Sequence, residues 1–373
     1  MRIPDSADHS RNAFDLLRFL AAFAVLFSHS FPLYGLREPF LVFGLPLANS
    51  AVYMFFVISG FLVYQSWDRD ADVVRFAARR ALRLLPALVV VVLITVFIVG
   101  PVMTTLPLAA YFRSADTWRY MISNASLVTG PLTLPGVFET NPYPLAVNGS
   151  LWTLTYEVLM YAILAAVGAI THRKTMRWVC LALLGFFATG WTVSSALGVT
   201  TYSLPLPGVS RIGLDFDWMR VALLGTFFFA GSCMYGFRDK VQLSVVTALV
   251  LLVACGFARN PFAVMVLLWV TLSYASLVFA YRAPAPLRRF GARRDLSYGT
   301  YIYAFPVQQI VSPLAINAGA GWWVAFAASA ILAILLAALS WHYIEQHALS
   351  WKPRVPQQEV DVERVTIPTH AGT

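Results

Sequence analysis

Arg18 and His29 stand eleven residues apart inside the apolar segment 13–33. On a helix eleven residues make three turns plus roughly 20°, so both side chains project from one face, about 16 Å apart along the axis. Ala22 and Val25 lie between them on that face, and Asp15 lies one turn before Arg18. A guanidinium holds anions and an imidazole moves protons near neutral pH. One reading is a path for an elongated anionic donor, with reactive chemistry at the histidine end. The other is that Arg18 snorkels to lipid phosphates while His29 caps or hydrogen-bonds a neighbour.

Three further groups carry chemistry. In Asn148-Gly149-Ser150-Leu151-Trp152-Thr153-Leu154-Thr155-Tyr156-Glu157, Glu157 falls about two turns below one end of a helix. His29 falls about one turn below the same end of its own, so a histidine–carboxylate pair suits the spacing; the other reading is a structural interhelical hydrogen bond or ion pair made by Glu157. Arg80 and Arg83 share a helix face and have the spacing of a phosphate clamp, or of ordinary interfacial anchors. Tyr298 and Tyr301, in Ser297-Tyr298-Gly299-Thr300-Tyr301, suit either a site or an interface. Ser59-Gly60-Phe61 reads as a helix-packing site, because small residues admit close approach. Glu345 is expected to pair with an arginine on its own side of the membrane. Cys180, Cys233 and Cys255 lie in apolar stretches without CxxC spacing, so neither a disulfide framework nor a metal site is expected.

The elements that must position these residues are membrane helices. The 373-residue chain is 59% hydrophobic and 12% charged, with mean hydropathy +0.68; a soluble domain carries about 25% charged residues. The fold class expected is all-α, a polytopic membrane bundle of about ten helices near 13–33, 47–67, 84–103, 150–170, 178–197, 218–236, 241–258, 261–281, 296–316 and 321–345, each near the ~20 residues that a bilayer requires. The net charge of +9 would suit nucleic acid in a soluble protein. Here it follows the positive-inside rule: with both termini in the cytoplasm, Lys and Arg favour that side by about three to one. A cleaved signal peptide at the N-terminus fits less well, since Phe19–Phe27 runs into Ser28-His29-Ser30 without a cleavage site. Residues 1–351 then form one transmembrane domain in a plasma (inner) membrane, with an extracytoplasmic loop near 104–149. Within that loop Tyr111–Leu127 suits a surface helix. Residues 352–373 suit a disordered cytoplasmic tail.

At this point the chain resembles the membrane-bound acyltransferase 3 family of glycan O-acetylases, from Asn12 to about Trp351. Phe14-Asp15-Leu16-Leu17-Arg18 with His29, Phe55-Phe56-Val57-Ile58-Ser59-Gly60-Phe61-Leu62, and Arg80 to Arg83 with Pro86 resemble its first three motifs. Ser150-Leu151-Trp152-Thr153-Leu154 with Glu157, Ser297 to Ile302, and Tyr343-Ile344-Glu345 resemble the rest. One departure is Ala304, where many members carry histidine. The resemblance implies transfer of an acyl group, usually acetyl, from cytoplasmic acetyl-CoA or another acyl-CoA to a glycan hydroxyl outside. It implies catalytic roles for His29, Glu157 and Arg18. Arg80, Arg83 and Arg18 become donor contacts, and Trp152, Tyr298 and Tyr301 substrate contacts.

The expected mechanism threads the donor along the Arg18–His29 face. His29 then acts as general base or takes the acyl group itself, and Glu157 orients it. The alternative is a transporter or flippase of lipid-linked sugars or small anions. The acceptor is open among lipopolysaccharide O-antigen, exopolysaccharide, peptidoglycan and small glycosides, with or without a separate extracytoplasmic partner. The acyl group is open between acetyl, succinyl and longer chains.

Overall fold

A computed structural model describes residues 12–39, 41–128, 130–199, 203–204, 216–290 and 294–353. Among the described residues ten helices follow the ten apolar segments: α1 (Phe14–Leu33), α2 (Leu47–Arg69), α3 (Val73–Met103), α4 (Trp152–Ile170), α5 (Met176–Ala196), α6 (Trp218–Gly236), α7 (Val245–Phe257), α8 (Pro261–Arg282), α9 (Ser297–Asn317) and α10 (Trp322–Ser350). Among the described residues, eight helices are long and apolar enough to cross a membrane. The other two are α7, which has only 13 residues, and α9, whose 21 residues include Gln308, Gln309 and several buried hydroxyls. The protein is thus a polytopic helical bundle. Most of the expected 352–373 tail lies outside the described residues.

α2 is the hub. It packs on α1, α4, α6 and α8, while α9 pairs with α10 and α1, and α7 pairs with α8. Burial follows: α6 and α2 bury 78% and 67% of their apolar spans and α5 only 17%, so α5 lies at the rim of the bundle. The α2–α6 contact depends on two glycines. A Cβ on Gly60 would lie 1.8 Å from the Phe228 carbonyl oxygen, and one on Gly231 would lie 2.0 Å from that of Val57. Backbones this close gain van der Waals contact that side chains would prevent. Ser232 Oγ seals the approach by donating to Gly60 O at 3.1 Å.

α3 starts eleven residues before the expected 84. Asp72 caps it by accepting from the Arg75 N–H at 2.7 Å. Arg75 and Arg79 then fold back onto Asp70, at 2.7 and 2.6 Å. Residues 73–83 alternate charge with small and apolar groups, so they form an amphipathic helix that an apolar-run criterion passes over.

At its other end α3 contains a π turn, Thr95–Val99. A π turn pairs each carbonyl with the N–H five residues on, and five residues after Val96 stands Pro101, which has no N–H. The Tyr111 hydroxyl donates to Val96 O instead, at 3.0 Å. Gly100 leaves room for it, since a Cβ there would meet that hydroxyl at 2.0 Å. The expected surface helix is therefore two short ones, Leu108–Arg113 and Ala115–Ala125, split by the Ser114 cap and docked on α3.

Candidate functional site

A cavity of about 510 Å³ lies between α2, α3, α4 and α9. Both Arg69 and Phe55 line it. With Val52, which also lines it one turn beyond Phe55, it extends about 25 Å along α2. Seven cationic side chains line it: Arg18, Arg69, Arg79, Arg80, Arg83, Arg294 and Lys352. Three carboxylates do so too: Asp15, Glu157 and Asp295.

Pairing divides the cations. Arg18 Nη2 lies 3.2 Å from Asp295 Oδ2 and also pairs with Asp15. Arg83 bridges Asp295 at 2.5 Å and Glu345 at 3.4 Å, which supplies the arginine partner expected for Glu345. Arg79 is held by Asp70. Among the described residues Arg80, Arg69, Arg294 and Lys352 have no carboxylate within ion-pair distance. Arg80 lies over the rings of Phe76 and Tyr161, 5.9 and 6.0 Å from their centroids, and its buried Nε has no hydrogen-bond partner. This is a guanidinium held in place with hydrogen-bonding capacity left over, the state suited to an anionic ligand.

Asp295 ties three helices to the mouth. Burial alone would raise its carboxyl, but Arg18, Arg83 and the hydrogen bonds from Ser297 hold it well below the usual carboxylate range. Glu345 reaches Arg83 because a second π turn, Trp341–Glu345, brings residues five apart onto one face; Ser340 Oγ donates to Glu345 Oε1 at 3.0 Å. Lys352, expected in the tail, lines the cavity instead. Partial desolvation, then the charges of Arg83, Arg80, Arg18 and Arg79, draws its ammonium down to about 8.

Deeper in, Glu157 accepts a hydrogen bond from Ser59 Oγ at 2.6 Å and another from the Tyr161 hydroxyl. The structure therefore joins Glu157 to α2 and to its own helix, and it is not hydrogen-bonded to His29. The Ser59-Gly60 pair divides its work: Gly60 packs on α6, while Ser59 faces the cavity. Tyr298 and Tyr301 also line it and are buried, at 8% and 7% exposure. The Tyr298 hydroxyl donates to Leu84 O at 2.8 Å, and Tyr301 shares a 2.7 Å hydrogen bond with Thr153. Trp152 lies outside the cavity, with the Arg220 guanidinium 4.8 Å from its ring centroid.

The face between Arg18 and His29 is not an open path. Ala22 and Val25 are 0% and 2% exposed, and the cavity runs beside that face along α2. His29 is half-buried and meets Phe305 edge-on, ring centroids 5.5 Å apart. Phe305 follows Tyr301 by four residues, about 6 Å up α9. His29 does not line the cavity; it packs on Phe305, one helical turn beyond the lining residue Tyr301. Gly149 allows this arrangement, because a Cβ there would lie 2.7 Å from the Phe305 ring. Asn148 Nδ2 fixes the neighbouring backbone by donating to Ile302 O at 2.9 Å. Ala304 faces away from the cavity, clustered with Leu26, Ala330 and Ala333.

Sequence reasoning did not single out Asp295, Lys352, Arg294, Phe305 or Tyr161. Asp295 and Arg294 sit in a charged loop of ordinary appearance, and Lys352 follows an apolar helix as many anchoring lysines do. Phe305 and Tyr161 are aromatic residues in apolar runs. The one available signal was helical spacing: Tyr161 follows Glu157, and Phe305 follows Tyr301, by four residues.

The chain matches the family model described as an acyltransferase domain over residues 11–342. It is 32% identical over 351 residues to the O-acetyl transferase of Shigella phage Sf6, covering 92% of this chain and 97% of that protein. It is 28% identical over 382 residues to nodulation protein 10 of Rhizobium leguminosarum bv. viciae, covering 96% and 99%. No solved structure matches it at a significant level.

Proposed function

The chain belongs to this acyltransferase family, and from that premise we propose that it moves an acyl group from cytoplasmic acyl-CoA to a hydroxyl of an extracytoplasmic glycan. One observation supports the reading: a cavity with unpaired cations at one end runs about 25 Å along α2 to the level of Tyr301, one helical turn before Phe305, on which His29 packs. Cytoplasmic acyl-CoA is an anion at one end and a thioester at the other. Its phosphates suit Arg80, Lys352, Arg294 and Arg69. Arg18 and Arg83 are already neutralised by carboxylates, so their part is to hold α1, α3 and α9 together around the mouth.

His29 takes the proton of the acceptor hydroxyl. The resulting alkoxide attacks the thioester carbon, the carbon–sulfur bond breaks, and the departing thiolate takes the proton back from the imidazolium. General base catalysis of this kind contributes about 10²–10⁴-fold. Glu157 keeps Tyr161 and Ser59 in place along the donor path and stands across Tyr161 from Arg80. Phe305 separates His29 from the donor end and has to yield for the thioester to reach it. The charged mouth faces the cytoplasm, where acyl-CoA is found, in agreement with the positive-inside bias. The membrane is the plasma (inner) membrane, and O-antigen or exopolysaccharide units are the acceptor class.

Proteoliposomes test the reading. With glycan acceptor outside and acyl-labelled acetyl-CoA supplied on the side of the arginine mouth, label appears on the glycan. Supplied only on the His29 side, it does not. Equal transfer from both sides would overturn the assignment. Movement of lipid-linked sugar without any use of acyl-CoA would replace it with a transporter.

A further inference from the structure

We infer that the outer loop 138–146 is the acceptor subsite, with the Tyr143 ring as the platform on which a sugar of the glycan stacks beside His29. The inference rests on a glycan being the acceptor.

The contacts start at His29, whose ring meets Phe305 edge-on. Phe305 in turn meets Tyr143 edge-on, ring centroids 6.0 Å apart. Phe305 is 4% exposed, whereas Tyr143 is 43% exposed. One buried ring therefore separates the histidine from an open one, an interval that one or two sugar units span. A pyranose carries hydroxyls on its rim and C–H groups on its faces. A face covers an aromatic ring while the rim stays free to present a hydroxyl.

An open ring at a helix end is by itself ordinary, since tyrosine also anchors membrane proteins at the interface. What sets Tyr143 apart is the backbone that carries it. Gln309, fully buried on α9, donates through Nε2 to the carbonyls of Tyr143 and Ala146 at 2.8 and 2.6 Å. Asn141 Nδ2 donates to Gln309 Oε1 at 2.7 Å and to its backbone oxygen at 2.8 Å. The Leu145 N–H donates to Phe138 O at 3.1 Å and closes the loop. Phe138 and Leu145 take φ of 58° and 70°, a region that favours glycine. Other residues stay there only where their surroundings fix the backbone. Pro142 leans on the turn after α1, where a Cβ on Gly35 would lie 3.3 Å from the Pro142 Cβ. The loop is thus braced both on the helix of His29 and on the helix of Phe305. An interfacial anchor needs only an exposed ring. A binding platform needs its ring held in place, because a mobile one pays ordering entropy when the ligand arrives.

The test uses purified full-length protein in nanodiscs and an oligosaccharide cut from the envelope polysaccharide of the host cell, labelled with a fluorophore at its reducing end. Fluorescence polarisation reads its binding without donor, and acyl-labelled acetyl-CoA reads transfer to it. Tyr143→Ala should weaken oligosaccharide binding by at least about tenfold and raise its KM alike. Both kcat and donor affinity should stay within about twofold of wild type. Tyr143→Trp, which keeps an aromatic face, should restore acceptor binding. Asn141→Ala, which frees the loop but leaves the ring, should lose about three- to tenfold of acceptor affinity. Wild-type acceptor affinity and KM in Tyr143→Ala would overturn the inference and leave the acyltransfer reading intact. So would a loss in Tyr143→Ala shared equally by donor affinity and kcat, the mark of a structural role. Wild-type protein that neither binds nor acylates the oligosaccharide would remove the glycan reading, and this inference with it.

Discussion

Arg80 and Arg83 are three residues apart on one helix, yet their neighbours give them different work. Arg83 is bound by Asp295 and Glu345, whereas Arg80 faces only rings and the cavity. Arg80→Ala should therefore weaken acyl-CoA binding by about ten- to a hundredfold, the range of a lost charge-assisted hydrogen bond, and leave the thermal midpoint almost unchanged. Arg83→Ala should instead cost about 3–5 kcal/mol of stability, because it strands a buried carboxylate. Calorimetry and thermal unfolding in the same detergent separate the two. Lys352 adds a pH dependence. With its ammonium drawn down to about 8, it loses its charge as pH rises through that value, so phosphate affinity falls. Donor affinity should decline between pH 7 and 9 in the wild type and lose that step in Lys352→Met. An unchanged profile would remove Lys352 from the mouth.

The helices meet through features that a hydropathy profile does not record. Ten apolar runs reported the ten helices well, because a lipid-facing or buried surface needs continuous apolar cover. They did not report the start of α3 at Val73, since its first turns are amphipathic, nor the two π turns, which depend on Pro101 and on the Ser340–Glu345 spacing. Gly60 carried its signal in the sequence. The role of Ser59 did not, because it depends on which helix lies opposite. Gly60→Ala and Gly231→Ala should each prevent α2 from seating on α6 and abolish the folded protein. Gly256→Ala, on α7 with nothing within 4 Å of the new Cβ, should be neutral or stabilise by about 0.5–1 kcal/mol. The turn between α2 and α3 supplies an acid-range test. Hydrogen bonds from Arg75 first, and then from Arg79, hold the Asp70 carboxyl down to about 2 against burial. Its contribution is present above the unfolded value near 3.9 and is lost as pH falls toward 2. Asp70→Asn should lower stability at pH 6 and flatten that part of the stability–pH curve.

Across the bundle, composition and motif order point to a membrane acyltransferase, and the family match agrees. The path through the protein was less legible. Helical phase set Arg18 and His29 about 16 Å apart on one face, but the Ala22 and Val25 between them are buried, and the cavity runs along α2 instead. The depth match of His29 with Glu157 was equally reasonable from helix ends alone. It did not become a bond, because Ser59 and Tyr161 take the carboxylate first. Such choices are made by side chains from other helices, and no single stretch of sequence contains them.

In the proposed reaction His29 performs the transfer while a separate cationic mouth holds the donor. The most direct measurement follows acyl-labelled acetyl-CoA with purified wild-type, His29→Ala and Arg80→Ala protein in nanodiscs, in the presence of lipid-linked glycan, recording donor affinity and label on the glycan. His29→Ala should bind donor within about twofold of wild type and lose transfer by at least about a hundredfold, whereas Arg80→Ala should recover transfer at raised donor concentration. A His29→Ala protein that still labels the glycan at near wild-type rate would contradict the account.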